Sequence, residues 1–447
     1  MLYSLETLNI FFDRCKEDIV YLDATGSIVR KGKGQMSPFY VYELVVRHPT
    51  KGSSPLPVAT YITSDHTTAS VSHFLGSVVT DLIKHHGRQA KSRPVMLICD
   101  GSVVLLHSLA YNFCGVSLQE LLCRYFSVVT GQATNDAIGL PILHRCLSHI
   151  MKNAKELCRK HASKHYHLTM HVFGVMTRAS TLKELNEVVI SANVVFSSSH
   201  SGQNVEKHFK NLQMLLTKAG PCAEDTSIKE ENYENNVGTT PFTQHFQEVI
   251  ETEECDQEGD ANIYFCPTFI PTLMKYFLPQ AALWSGLLLG DLGRHGSGPV
   301  YDSLTTKYSR AACKSQQNYT LDNKTQGIME KSQWDLKQIR FQHKNMTRLD
   351  DFVDTYKVTL KALLREYADS QRRKKKTHRV DVERWKSRKQ SKRGVYVSPL
   401  NKPFIYKQQK KKVTELWGKK RHRSGRFCGA LSIREQLCLS TTVSSTH

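Results

Sequence analysis

The chain has 447 residues and carries 61 Lys and Arg against 41 Asp and Glu, a formal net charge of +20. No stretch reaches the roughly 18 consecutive apolar residues that a transmembrane helix needs, so we expect no membrane partner. The 12 cysteines of a chain this long, without an export signal, are expected to be reduced thiols of an intracellular protein.

Three strands are predicted near the N-terminus, because three segments rich in Val, Ile, Tyr and Thr are separated by turn residues. They span residues 18–29, 38–49 and 56–65. A helix over 68–86 follows, and the apolar run "PVMLICD" (94–100) predicts a strand that is buried on both faces. Helices at 103–114 and 117–129 then lead to the short strand "ILHRC", which continues into a helix ending near residue 161. This order predicts a mixed α/β sheet.

The second half of the chain is predicted to be mostly helical. Residues 162–320 are expected to form a helical insertion, within which 221–260 carry 12 acidic residues against the single basic residue Lys229. So little apolar content predicts that 221–260 are disordered. A long amphipathic helix over about 326–370 is expected to close the core, so that residues 321–370 return to it.

Two of the predicted strands end in an aspartate that is followed by a turn. Asp23 closes the first strand and Asp100 closes the fourth, directly before Gly101. An Asp before Gly is also ordinary turn chemistry, so either residue alone is weak support for a functional site. Two carboxylates on a rigid sheet edge suit the hard cations Mg²⁺ and Mn²⁺, and such a cation would relieve their mutual repulsion.

A Cys-x-x-His motif, Cys146 and His149, follows the two aspartates. Asp23, Asp100 and this motif occur in an order that resembles the DDE/D transposases over about residues 15–370. The likeness is greatest to the Mutator-like (MULE) branch and smaller to the Kyakuja-Dileera-Zisupton group. It implies an α/β fold with a ribonuclease H-like mixed sheet, of which residues 1–161 are the first part, followed by a helical insertion.

The resemblance also implies a third acid on a helix after the insertion. Glu330, in "NKTQGIMEKSQWDLKQIRF", is the favoured candidate, and Glu206, in "QNVEKHFKNLQ", is the alternative. With Asp23 and Asp100, the third acid would hold two Mg²⁺ or Mn²⁺ ions. The expected activity is metal-dependent DNA cleavage and strand transfer, and the alternative is a catalytically inactive, domesticated or decayed DNA-binding protein on the same fold. Homodimerisation is a further expectation, because paired DNA ends need paired active sites.

Zinc is a less favoured cofactor. Cys146 and His149, together with Cys158 and His161, supply four ligands of the right chemistry. If 146–161 form one helix, however, its ends lie about 22 Å apart at a rise of 1.5 Å per residue, too far for one ion. A buried thiol and a hydrogen-bonded histidine beside the acids are therefore the preferred interpretation.

The C-terminal segment 371–447 is predicted to be a basic, largely disordered tail. Residues 371–426 contain 22 Lys and Arg against three acidic residues, a net charge of +19. Such clusters favour contact with DNA and nuclear localisation. The candidate DNA-contacting residues are Arg372, Arg373, Lys374, Lys375, Lys376, Lys410, Lys411, Lys412, Lys419, Lys420 and Arg421.

Overall fold

A five-stranded mixed sheet lies in the N-terminal third of the chain. The computed structural model describes residues 1–16, 18–26, 28–30, 37–49, 53–87, 94–133, 140–219, 237–288, 326–341 and 348–391. The strands are β1 (Ile19–Thr25), β2 (Tyr40–Val46), β3 (Leu56–Thr63), β4 (Met96–Cys99) and β5 (Ile142–Arg145), in the order β3-β2-β1-β4-β5. The predicted mixed α/β sheet is confirmed.

The strand directions decide which residues meet at each edge of the sheet. β1 pairs with β2, and β2 with β3, in antiparallel fashion, whereas β4 lies parallel to both β1 and β5. The C-terminal ends of β1, β4 and β5 therefore share one edge, which is where open α/β sheets generally bind ligands.

Five helices belong to the same part of the chain. They are α1 (Leu5–Arg14), α2 (Thr68–His86), α3 (Val103–Leu109, continued by a π-helical turn over Ala110–Cys114), α4 (Leu118–Val129) and α5 (Leu147–His161). All but α1 were predicted. Helix α1 begins with a capping box, in which the Ser4 side chain accepts from the Thr7 N–H and the Thr7 side chain accepts from the Ser4 N–H.

The insertion is helical over its described residues. It contains α6 (Tyr166–Arg178), α7 (Leu182–Ser197), α8 (Gln203–Ala219), α9 (Pro241–Ile250) and α10 (Phe269–Tyr276), 3₁₀ turns at Ser163–His165 and Leu278–Leu283, and a small ladder of β6 (His200–Ser201) with β7 (Asp260–Ala261). Its apolar residues, such as the fully buried Trp284, join the hydrophobic core that also covers the sheet.

One predicted feature of the insertion is wrong. The stretch 221–260 was expected to be disordered, but helix α9 lies within it. Phe242 and Phe246 of α9 are fully buried, and this apolar contact overcomes the acidic composition of the flanking residues. Residues 221–236 lie outside the described part of the chain.

The single closing helix predicted over 326–370 is also wrong. Helix α11 (Gly327–Trp334) continues as a π-helix over Asp335–Arg340, and a separate helix α12 spans Leu349–Ser391. Phe341, after the π-helix, stacks on Phe352 of α12 at a ring-centroid distance of 5.2 Å. The apolar pattern thus serves two helix segments that pack on each other in a second small core.

The chain divides into two compact units, Met1–Ala368 and Asp369–His447. The second unit begins inside α12, so residues 371–391 of the tail are helical where disorder was predicted, and 392–447 lie outside the described residues. Among the described helices, none combines the length and apolar character that a membrane span requires.

Candidate functional site

Asp23 and Asp100 occupy equivalent positions on neighbouring parallel strands. Leu22 and Cys99 are register partners of β1 and β4, and each is followed directly by one of the two aspartates. Neighbouring strands lie about 4.8 Å apart. The register therefore brings two acids that are 77 positions apart in sequence (100 − 23) together on the side of the sheet where the C-terminal halves of β1 and β4 lie. The Asp23 side chain is buried and that of Asp100 is half-buried.

Helix α11 supplies one of the direct contacts of Asp23. Its Oδ1 accepts the N–H of Ala24 at 2.7 Å, and its Oδ2 accepts the side-chain amide of Gln333 at 3.1 Å. Lys337 lies in the following π-helix, where burial lowers the pKa of its amine and the negative charge of Asp23 acts against that shift. Asp23 therefore has a donor and a cation on the same covering element.

Asp100 lies in a tight turn near the side chains of Arg145 and His66. Its Oδ1 accepts the N–H of Ser102 at 2.8 Å. Burial raises the pKa of Asp100, while the Ser102 N–H and the electrostatic interactions with Arg145 and His66 oppose the rise. The buried Arg145 guanidinium packs directly on Gly101, whose φ of +97° lies in the left-handed region.

Gln326 joins α11 to the sheet at the same edge. Its side-chain amide donates to the carbonyl oxygens of Leu22, at 3.1 Å, and Ile98, at 3.5 Å, in the gap between β1 and β4. Its backbone N–H donates to the Cys146 sulfur at 3.2 Å. A single buried glutamine thus fixes the start of α11 over the residues of β1 and β4 that precede the two aspartates.

Cys146 and His149 lie at the start of α5. Cys146 is buried, and burial raises the pKa of its thiol, to which the negative charge of Glu330 adds. Burial lowers the pKa of the half-buried His149 to about 4, with Lys152 and Arg145 contributing, so its imidazole is neutral at neutral pH. Because 147–161 form one helix, the geometric argument against a four-ligand zinc site applies to the observed structure.

The two candidates for the third acid lie on different elements. Glu330 is exposed in the first turn of α11, the helix that contacts β1, and its charge acts on Cys146. Glu206 lies on α8, which packs against α6 and α7, and its side chain is 71% exposed and 3.9 Å from the Lys210 amine. The structure associates Glu330, but not Glu206, with the helix that covers Asp23.

Glu43 is an acid that sequence reasoning missed. It is the register partner of Asp23 on β2, only 1% exposed, and its Oε1 accepts the hydroxyl of Tyr356 at 2.9 Å. Tyr356 also contacts Thr60, the register partner of Glu43 on β3. The available signal was an acid inside the otherwise apolar strand "YVYELVV".

The donor set fits a divalent cation in part. Asp23 and Asp100 supply hard oxygen ligands at one rigid edge, which suits Mg²⁺ or Mn²⁺. Within the described ranges, no group of three or more His, Cys, Asp or Glu is close enough to hold a metal ion. Two of the three predicted ligands are thus brought to one edge, and Glu330 lies on the covering helix without forming a three-ligand cluster with them.

The predicted DNA-contacting tail is described only in part. Arg372 is exposed, 3.9 Å from Asp369, and residues 373–376 belong to helix α12. The other candidates, Lys410, Lys411, Lys412, Lys419, Lys420 and Arg421, lie outside the described residues.

Comparison with known proteins adds no relative to this picture. No protein-family model matches the chain, and a search of curated proteins gives no match in sequence.

Proposed function

We propose that this protein is a transposase-type enzyme with a ribonuclease H-like core, which cleaves DNA and transfers the cut strand. The observation that carries the proposal is the parallel register of β1 and β4, which places Asp23, within β1, and Asp100, directly after β4, at equivalent positions on neighbouring strands. The antiparallel meander β1-β2-β3, followed by the parallel strands β4 and β5, supports the fold assignment. Nuclear localisation is part of the proposal, because the substrate is DNA and the tail is strongly basic.

In this proposal Asp23, Asp100 and Glu330 hold Mg²⁺ or Mn²⁺. When bound, the ions lower the pKa of a water or a DNA 3′-hydroxyl and stabilise the leaving oxygen of the phosphodiester. The chain's own residues orient these ligands: the Gln333 amide holds Oδ2 of Asp23, and the Ser102 N–H holds Oδ1 of Asp100. Lys337, beside Asp23, offers a positive charge to the phosphate of the substrate.

Nicking of a supercoiled plasmid tests the proposal. With Mn²⁺, the wild-type protein is expected to convert the plasmid to the open circle. Asp100→Asn is expected to lose about 100-fold or more of this rate, because a catalytic metal contributes several kcal/mol of transition-state stabilisation. Duplex DNA binding should be retained. Nicking by Asp100→Asn at the wild-type rate would contradict the proposal.

A matched pair of substitutions tests the third ligand. Glu330→Gln and Glu206→Gln remove the same charge from exposed positions on two different helices. The proposal expects loss of nicking in Glu330→Gln and wild-type nicking in Glu206→Gln. The reverse result would assign the third position to Glu206.

A second candidate function is a catalytically inactive DNA-binding protein on the same fold. It is favoured by the absence of a three-ligand cluster among the described residues and by the engagement of Asp23 with Gln333. Under this alternative, wild-type protein binds duplex DNA but leaves the plasmid supercoiled with either Mg²⁺ or Mn²⁺.

A further inference from the structure

One segment of the insertion concentrates positive charge outside the tail. Residues 157–183 contain no Asp or Glu, although 41 acids in 447 residues would place two to three in a run of 27. The segment carries five Lys and Arg and four His. These are Arg159, Lys160, Lys164, Arg178 and Lys183, with His161, His165, His167 and His171.

The fold gathers most of these residues at one corner. Helix α5 ends at His161, a 3₁₀ turn spans Ser163–His165, and α6 begins at Tyr166. Arg159, Lys160, Lys164 and His167 are exposed there. We call residues 159–167 the basic corner. Ala162, within the turn, is buried and packs in the hydrophobic core.

Hydrogen bonds fix the shape of the basic corner. The Thr169 hydroxyl donates to the carbonyl of His165 at 3.1 Å, and His165 Nε2 donates to the carbonyl of Ile263 at 2.6 Å. His161 Nδ1 lies 3.0 Å from the Thr268 hydroxyl, so two positions of the corner are tied to the segment before α10. A surface held in this way presents its cations with little ordering cost on binding.

The Arg159 side chain has a further contact within the corner. Its guanidinium lies over the ring of Tyr166, 5.8 Å from the centroid, so the first helix of the corner touches the second through a cation–π contact. An arginine placed in this way can still donate from its edge to an anion, because its donors lie in the guanidinium plane.

We propose that the basic corner binds the phosphate backbone of duplex DNA, as a site separate from the C-terminal tail. Its charge complements a polyanion. Lys, Arg and Ser side chains commonly contact DNA phosphates, and the corner exposes Arg159, Lys160, Lys164 and Ser163. The choice of DNA among polyanions rests on the proposed function. Contacts of this kind carry no base specificity, so the corner would bind any sequence.

The salt dependence of binding to a fluorescent duplex tests this site in the full-length chain. Replacing Arg159, Lys160 and Lys164 by Gln removes three exposed cations. The slope of log Kobs against log salt is then expected to become shallower by up to about 2.7, at about 0.9 for each phosphate that is no longer neutralised. The double variant Lys160→Gln with Lys164→Gln keeps Arg159 on Tyr166. Its change in slope should be about two thirds of the change in the triple variant.

The matched control removes three lysines that lie beside acids elsewhere. Lys207, Lys210 and Lys357 are 61%, 74% and 59% exposed and lie within 4 Å of Glu253, Glu206 and Asp354, respectively. Their triple Gln variant has the same net charge as the corner variant and should keep the wild-type slope. Equal slopes for the two triple variants would overturn the proposal, as would corner-dependent binding to acidic phospholipid vesicles but not to DNA.

The outcome is separable from that of the catalytic proposal. If the corner binds DNA and the enzyme assignment fails, wild-type protein shows the corner-dependent slope without nicking the plasmid. If the enzyme assignment holds and the corner fails, nicking requires Asp100 while the corner variant binds as the wild type does.

Discussion

Glu43 is a carboxylic acid held inside the sheet, and its environment opposes ionisation. Burial raises its pKa, while the Tyr356 hydroxyl, the charge of Arg340 and the Ser332 hydroxyl act against the rise. The net direction is upward because a charge with so little exposure loses its hydration. Glu43 therefore holds a proton more readily than an exposed glutamate does.

Because of this proton, the free energy of unfolding should depend on pH. The unfolded chain releases it near the ordinary Glu pKa of about 4.3, whereas the folded protein keeps it to higher pH. Above that ordinary value the folded state binds more protons, so its free energy of unfolding falls as pH rises toward the folded pKa. Glu43→Gln retains an acceptor for Tyr356 and cannot ionise. Its stability relative to the wild type is expected to increase between about pH 4 and about pH 8 in urea unfolding.

Glu206→Gln is the control for Glu43→Gln, because it makes the same chemical change at an exposed position. Its stability difference from the wild type should be small and nearly the same at both pH values. A difference for Glu43→Gln that does not change with pH would show that Glu43 is ionised in the folded protein.

At the scale of single elements, the turn after β4 determines where Asp100 lies. Gly101 has a φ of +97°, and a Cβ added there would lie 2.1 Å from Nε of the buried Arg145. Both the backbone conformation and the close approach require glycine. The turn and the arginine are therefore one packed unit at the end of the strand.

Gly101→Ala is expected to destabilise the protein by about 2 kcal/mol or more, because backbone strain and the displacement of Arg145 add. Gly87→Ala separates the two causes, since Gly87 has a φ of +71° with nothing within 4 Å of an added Cβ. It should cost about 1 kcal/mol from backbone strain alone. Urea denaturation of both variants checks this, and equal losses would mean that Arg145 moves aside freely.

Some of the helices and strands could be predicted from the sequence, and others could not. The strands were predictable because apolar runs between turn residues have few alternatives, whereas the parallel pairing of β1 with β4 became known only from the structure. The end of the helical segment at Phe341 was not predictable, because the apolar spacing of a helix is the same whether it packs on a sheet or on Phe352. Glu43 was missed because cross-strand register, and not sequence spacing, makes it a neighbour of Asp23.

At the scale of the whole molecule, the net charge is a property of the tail. Residues 371–426 contribute +19 of the total +20, so the rest of the chain sums to +1 (20 − 19). Within that nearly neutral remainder, acids concentrate in 221–260, with a net charge of −11, and bases in the acid-free run 157–183. Attraction of the chain to a polyanion should therefore depend mainly on the tail, with the basic corner as a local addition.

Neutralising the first basic cluster of the tail, residues 372–376, measures how much this cluster contributes to DNA binding. Changing Arg372, Arg373, Lys374, Lys375 and Lys376 to Gln removes five of the 22 basic residues in 371–426. If all five contact phosphates, the slope of log Kobs against log salt for duplex DNA becomes shallower by about 4.5, and by proportionally less if fewer do. A variant with Lys at 372 and 373 and Arg at 374–376 keeps the charge and should keep the slope, because counterion release depends on charge and not on side-chain shape. A wild-type slope in the five-Gln variant would show that this cluster does not contact DNA and would leave Lys410–Lys412 and Lys419–Arg421 as the candidates within the tail.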